Sequence, residues 1–189
     1  MRLIYFISLF IIPFIFSCTQ EYIPKPMGYF RIDLPKKKYL QFESECPFTF
    51  EYPVYARVNK SDQGNVEPCW FNVEFPQFNA KVHLSYKNVS GKINDIIEEC
   101  RTLAYKHSVK ADAIDERPYV DPKNKIFGML YEIKGNAASS VQFYASDSAH
   151  HFLRGALYFN SRPNKDSLAP VIDFIEQDIV HLIESLRWK

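Results

Sequence analysis

Asp147, Ser148 and His151 lie within five residues of one another, and these three side-chain types can make an orienting acid, a nucleophile and a base. Such chemistry normally draws its members from positions that the fold separates, whereas an Asp, a Ser and a His gathered in one polar turn read more simply as loop capping. The five histidines are His83, His107, His150, His151 and His181. Any of them could transfer protons near neutral pH. His150 and His151 are adjacent, so in an extended strand they point to opposite faces and cannot share a ligand. No HExxH, GxSxG, phosphate-binding loop or dinucleotide fingerprint occurs. The expectation is a protein without catalytic residues, metal or cofactor.

Two surfaces remain as interaction candidates. Asp147, Ser148, His150, His151 and Arg154 concentrate several kinds of polar group where a hairpin opens into a strand. Trp70 and Phe71, with Tyr29 and Phe30, could form an aromatic recognition patch. Solvation with loop capping is the competing account of the first group, and core packing is that of the second.

Cys18 carries a separate chemistry. Arg2 precedes an apolar run at 3–16, and Ser17 stands directly before the cysteine. A run of about 14 residues crosses too little of a ~30 Å hydrocarbon core to span a membrane, but it suits the apolar region of a signal peptide. A small residue before a cysteine at the end of such a run has the pattern of a bacterial lipobox. Here Ile15 takes the usual Leu position, Phe16 is bulkier than usual and Pro13 interrupts the run. The pattern predicts cleavage before Cys18 and acylation there, supplying the two or more chains that stable anchoring requires. A plain secretory signal or an uncleaved anchor is the alternative.

Cys46, Cys69 and Cys100 remain after Cys18 is used. In an oxidising compartment an odd count leaves one thiol unpaired or bonded to another chain. Cys46 precedes one strand-like run and Cys69 begins another, so a Cys46–Cys69 disulfide is the expected pairing. No CxxC occurs, and three scattered cysteines make a poor zinc site.

Stepping the chain through its periodicities places these residues on elements. The formal net charge is +1, from 23 basic and 22 acidic residues, so nothing points to nucleic acid. Aromatic residues make up 16% of the chain, a density that favours strands. Pro24, Pro26 and Gly28 mark a tether over 18–28 that follows a leader over 1–17, and one domain is expected over 29–189. Alternation predicts strands at 29–34, 48–52, 70–75, 80–86, 126–134, 139–145 and 151–159. Residues 60–68 read as an exposed loop and 108–125 as irregular. Apolar residues recur at helical spacing over 91–107, with Ser90 as cap and Cys100 in the buried stripe. A second helix of about 20 residues, some 30 Å long, is capped by Ser167. It presents Val171, Ile175, Ile179, Leu182 and Leu186, with Asp178 outside that stripe.

Two amphipathic helices need a sheet to cover. The fold class is therefore α+β, a largely antiparallel sheet covered by two helices. Helices on opposite faces would give a three-layer Mog1/PsbP-like arrangement, and helices on one face a two-layer sandwich.

Five blocks then carry a resemblance: PKPMGYFRIDLP at 24–35, CPFTFEYP at 46–53, CWFNVEFPQFNAKVHLSY at 69–86, GNAASSVQFYASDSAHHFLRGALYF at 135–159 and PNKDSLAPVIDFIEQDI at 163–179. Together they resemble the gliding-motility lipoprotein GldD family of Bacteroidota. The resemblance implies a cell-envelope lipoprotein required for gliding, with the membrane and the gliding-motility and type IX secretion envelope proteins as its partners. It implies no catalytic site. Thr19-Gln20-Glu21 lacks the acidic cluster associated with surface export in these bacteria, which favours a periplasm-facing domain and leaves inner and outer membrane open. The rival readings are a carrier or sensor of a small apolar or glycan ligand, which needs an enclosed pocket between sheet and helix, and a hydrolase.

Overall fold

A computed structural model describes residues 31–61 and 67–189. The leader, Cys18, the tether, Tyr29, Phe30 and the middle of the 60–68 loop lie outside the described residues. Asp33–Lys189 forms one compact unit.

The chain enters through β1 (Tyr39–Phe42), β2 (Phe48–Pro53) and β3 (Arg57–Lys60), then β4 (Phe71–Phe75) and β5 (Ala80–Asn88). Helix α1 (Ile93–Tyr105) follows, then β6 (Ala111–Asp121), β7 (Ile126–Gly135), β8 (Ser139–Ser146) and β9 (His151–Phe159). Helix α2 (Lys165–Ser185) leads into the short β10 (Arg187–Trp188). Seven strands form one sheet in the order β3-β4-β5-β9-β8-β7-β6, and every neighbouring pair is antiparallel. A smaller sheet has the order β1-β2-β10.

Strand alternation assigns the layers. Tyr131 and Ile133 of β7 pack with Ala104 of α1, and Phe152 of β9 packs with Cys100 and is joined by Ile93, Ile96 and Ile97. Glu132, between Tyr131 and Ile133, must point to the other face. There Arg117 bonds both Glu132 and Glu176 of α2. The helices therefore cover opposite faces, and the arrangement has three layers. The small sheet shares the α2 side. Phe48 meets Phe71 and Tyr86 of the large sheet at ring-centroid distances of 6.3 and 5.4 Å, and Ser185 of α2 accepts a bond from the Glu51 N–H of β2 at 2.9 Å.

Several sequence expectations need correction. Residues 31–34 form no strand. This stretch and the residues after it are held by side chains instead, with Gln77 donating to the Asp33 carbonyl and Lys37 reaching α2. Residues 111–121, expected to be irregular, form β6, which among the described residues pairs only with β7. Charges and Pro118 are tolerated there because one edge of the strand carries no ladder. Ser90 does not cap α1, whose N-cap is Lys92, and it donates instead to Asn88. At α2 the cap is Asn164, whose side chain accepts from the Ser167 N–H at 3.2 Å.

Asp178 falls outside the apolar stripe of α2, yet it is buried at 2% exposure. Its partners come from outside the helix: Lys37 Nζ at 2.7 Å, Tyr39 OH at 3.0 Å and Tyr55 OH at 2.6 Å.

Candidate functional site

Helix α1 covers only part of its face of the large sheet. Strand register lines up side chains across the remainder. Asn59, Asn72, His83, Ala156 and Gln142 form one cross-strand row, and Arg57, Glu74, Lys81 and Tyr158 form the next. Directly paired residues of antiparallel strands project to the same side. The small Ala156 leaves a depression between larger neighbours, and a cleft of about 350 Å³ opens there. Its walls include Trp70, His83, Ser85, Arg154 and Tyr158. The volume lies within the range of small-molecule sites, although the cleft is open rather than enclosed.

The polar groups of this face are mostly bonded to one another. Asn72 is buried, and its Oδ1 lies 2.6 Å from His83 Nδ1. Burial, helped by the nearby Lys81 and Arg154 charges, lowers the His83 pKa. The neutral ring therefore predominates at neutral pH, and it donates from Nδ1 to the Asn72 carbonyl, which leaves Nε2 as an acceptor. Arg154 donates to Gln142 Oε1 at 2.8 Å. Gln142 is buried, and its Nε2 has no hydrogen-bond partner among the described residues. Trp70 spends its indole N–H on the Tyr86 carbonyl at 3.1 Å, which fixes the ring.

The two candidate surfaces fare differently. Asp147 Oδ1 accepts from the backbone N–H groups of Ala149, His150 and His151 at 2.9, 2.8 and 2.8 Å. Burial opposes this carboxylate, but the three bonds outweigh it and hold the carboxyl below its usual range. Asp147 is thus a loop cap. His151 bonds Tyr86 OH at 2.8 Å and stacks on Trp188, with centroids 5.1 Å apart, while Ser148 stands in a left-handed turn at φ 66°. His151 and Arg154 lie on opposite faces of β9, so the group does not converge. Phe71 borders the cleft beside Trp70, but it is buried and its ring packs edge-on against Phe42 and Phe48 in the core. Of the residues singled out, Trp70, Phe71 and Arg154 border one cleft. Asn72, His83 and Gln142 were missed as site residues. Alternation put His83 on the face away from the core, but strand order alone sets it beside Arg154.

Cys46 and Cys69 form a disulfide with Cα atoms 5.8 Å apart. Cys100 is a buried free thiol whose pKa burial pushes up to about 11. That makes it a poor nucleophile. Among the described residues no His, Cys, Asp and Glu cluster could hold a metal ion, and no helix is long and apolar enough to cross a membrane.

The family model for "Gliding motility lipoprotein GldD" matches residues 19–188. The chain belongs to the GldD family. Membership makes it a gliding-motility lipoprotein of the cell envelope, in a family described by that role and not by an enzymatic activity. No curated protein sequence matches the chain. Among solved structures, the solution structure of cyanobacterial PsbP (CyanoP) from Synechocystis sp. PCC 6803 is similar, with a TM-score of 0.52 and 7% identity, over 85% of this chain and 98% of that one. At that identity the likeness is one of fold alone. The GldD chain thus has a PsbP-like α+β fold, the three-layer alternative raised by its two amphipathic helices.

Proposed function

We propose that this GldD protein is a noncatalytic accessory lipoprotein, held to the envelope by acyl chains on Cys18 with its domain facing the periplasm. In this reading it binds or stabilises a protein of the gliding and type IX secretion machinery. The observation that carries the proposal is the family match over residues 19–188. Physically, two acyl anchors confine a small domain to a surface, where it meets membrane partners at a raised effective concentration without a large interface. A hydrolase reading has little support, because His151 is bonded to Tyr86 and Asp147 to backbone amides, so neither activates Ser148.

Cys18→Ala should abolish acyl labelling and release the protein from membranes. Retention of both properties would remove the tether. Photocrosslinkers placed on exposed positions of the intact protein in living cells, such as Val109 and Val120, should recover a motility or secretion component by mass spectrometry. A failure to recover any such component, under conditions that capture other envelope complexes, would count against the partner-binding role.

A further inference from the structure

We propose that the cleft floored by Ala156 is a binding site for a hydroxyl-rich monocarboxylate, an acidic sugar unit, with Arg154 on the carboxylate and Trp70 beside the sugar ring.

Arg154 is half-buried, lines the cleft and makes no ion pair with any carboxylate among the described residues. Its one hydrogen bond among the described residues, to Gln142 Oε1, leaves other guanidinium N–H groups available. A guanidinium in partial burial normally finds an anion, and its planar fork matches a carboxylate. Among the described residues no acidic side chain lines the cleft, and Arg154 is the charged side chain of its wall, which matches one negative charge. A doubly charged phosphate monoester would be undercompensated there. Lys81 is not among the residues that line the cleft, and it stands opposite Glu74 in the strand register.

The hydroxyl requirement comes from the other walls. His83 turns Nδ1 to Asn72 and keeps an acceptor nitrogen, while Ser85 and Tyr158 supply hydroxyls that can donate or accept. This mixture suits a polyol better than an apolar acid. The half-buried indole of Trp70, fixed through its N–H, supplies an apolar flank for the C–H face of a pyranose. The carboxylate, hydroxyl and ring requirements are met together by a uronic acid. The proposal does not depend on the identity of a protein partner.

The test uses the full-length acylated protein in detergent micelles, titrated with glucuronate, glucose, glucose 6-phosphate, inorganic phosphate and a blocked peptide with a free C-terminus. Calorimetry and saturation-transfer NMR provide the readouts. Glucuronate should bind saturably and more tightly than the other four. Arg154→Gln should weaken it roughly tenfold or more, the scale of one charge-assisted contact. Ser85→Trp, which fills the cleft from a half-buried strand position, should abolish binding while the cooperative melt is retained. The melt is checked for both variants, and the second keeps the test open if the first misfolds. The proposal is overturned if glucuronate shows no saturable binding, if glucose, phosphate or the peptide binds as well as glucuronate, or if binding survives both substitutions.

Discussion

Asp178 occupies a helix position whose sequence neighbours mark it as surface, yet three donors from the segment before β3 converge on it. Lys37 also donates to the Phe174 carbonyl at 2.8 Å and lies 3.9 Å from the centre of the Phe174 ring. The carboxylate thus ties the entry to β1 and the β2–β3 connection to α2. Asp178→Ala leaves the ammonium and two phenols without their shared acceptor, and it should cost about 3 kcal/mol, the scale of breaking a buried ion pair. Lys37→Met should cost less, because Lys37 keeps 24% of its side-chain surface in water. Urea denaturation checks both, and an Asp178→Ala midpoint equal to that of the wild type would show that the cluster adds no stability. The cluster was not legible in the sequence. Helical periodicity orders residues around one axis, and it carries no information about a lysine more than a hundred positions earlier.

At the scale of elements, one contact joins the two sheets and another fixes the fit of two neighbouring strands. The Cys46–Cys69 disulfide joins the approach to β2 in the small sheet to the approach to β4 in the large one, across a separation of 23 residues. A loop of that length constrains the unfolded chain by about 3 kcal/mol on the chain-entropy model. Cys46→Ser with Cys69→Ser should therefore lower the melting temperature by several degrees, and an unchanged melt would show that packing alone holds the sheets together. Gly155 of β9 stands opposite Phe143 of β8, and a Cβ at Gly155 would overlap the Phe143 ring. Phe143 is itself buried, so the ring has no free space to enter. Gly155→Ala should cost about 2 kcal/mol through overpacking, read as a shift in urea midpoint with an unchanged slope. Strand β6 was illegible for a different reason. Its charges and Pro118 break the alternation that identifies a half-buried strand, and an edge strand does not need that pattern.

For the whole molecule, the aromatic content becomes a pH response. The Tyr39, Tyr55 and Tyr131 phenols are all raised well above the ordinary value, first by burial. For Tyr39 and Tyr55 the next cause is the hydrogen bond to Asp178. A raised phenol favours the neutral folded form. Its contribution is complete below the unfolded phenol value of about 10 and is lost as pH climbs from there toward the folded value. Stability should therefore hold through neutral pH and fall above about pH 10. Tyr55→Phe should flatten that alkaline limb. Equilibrium denaturation across the range tests this, and an alkaline limb unchanged by the substitution would assign the loss to other groups.

The sequence by itself determined what depends on local periodicity and composition. It placed both amphipathic helices, the central strands, the α+β class and the strand that follows each of the paired cysteines, because burial on one face imprints a period of 2 or 3.6 on the chain. The resemblance to the GldD family was likewise legible in ordered strings of residues. Tertiary structure alone decided that the helices lie on opposite faces, that Asp178 is interior, and that Trp70, Asn72, His83 and Arg154 share one open patch of sheet. Those outcomes depend on strand order and register between segments far apart in the chain, and no repeat within a segment records which segment will become its neighbour.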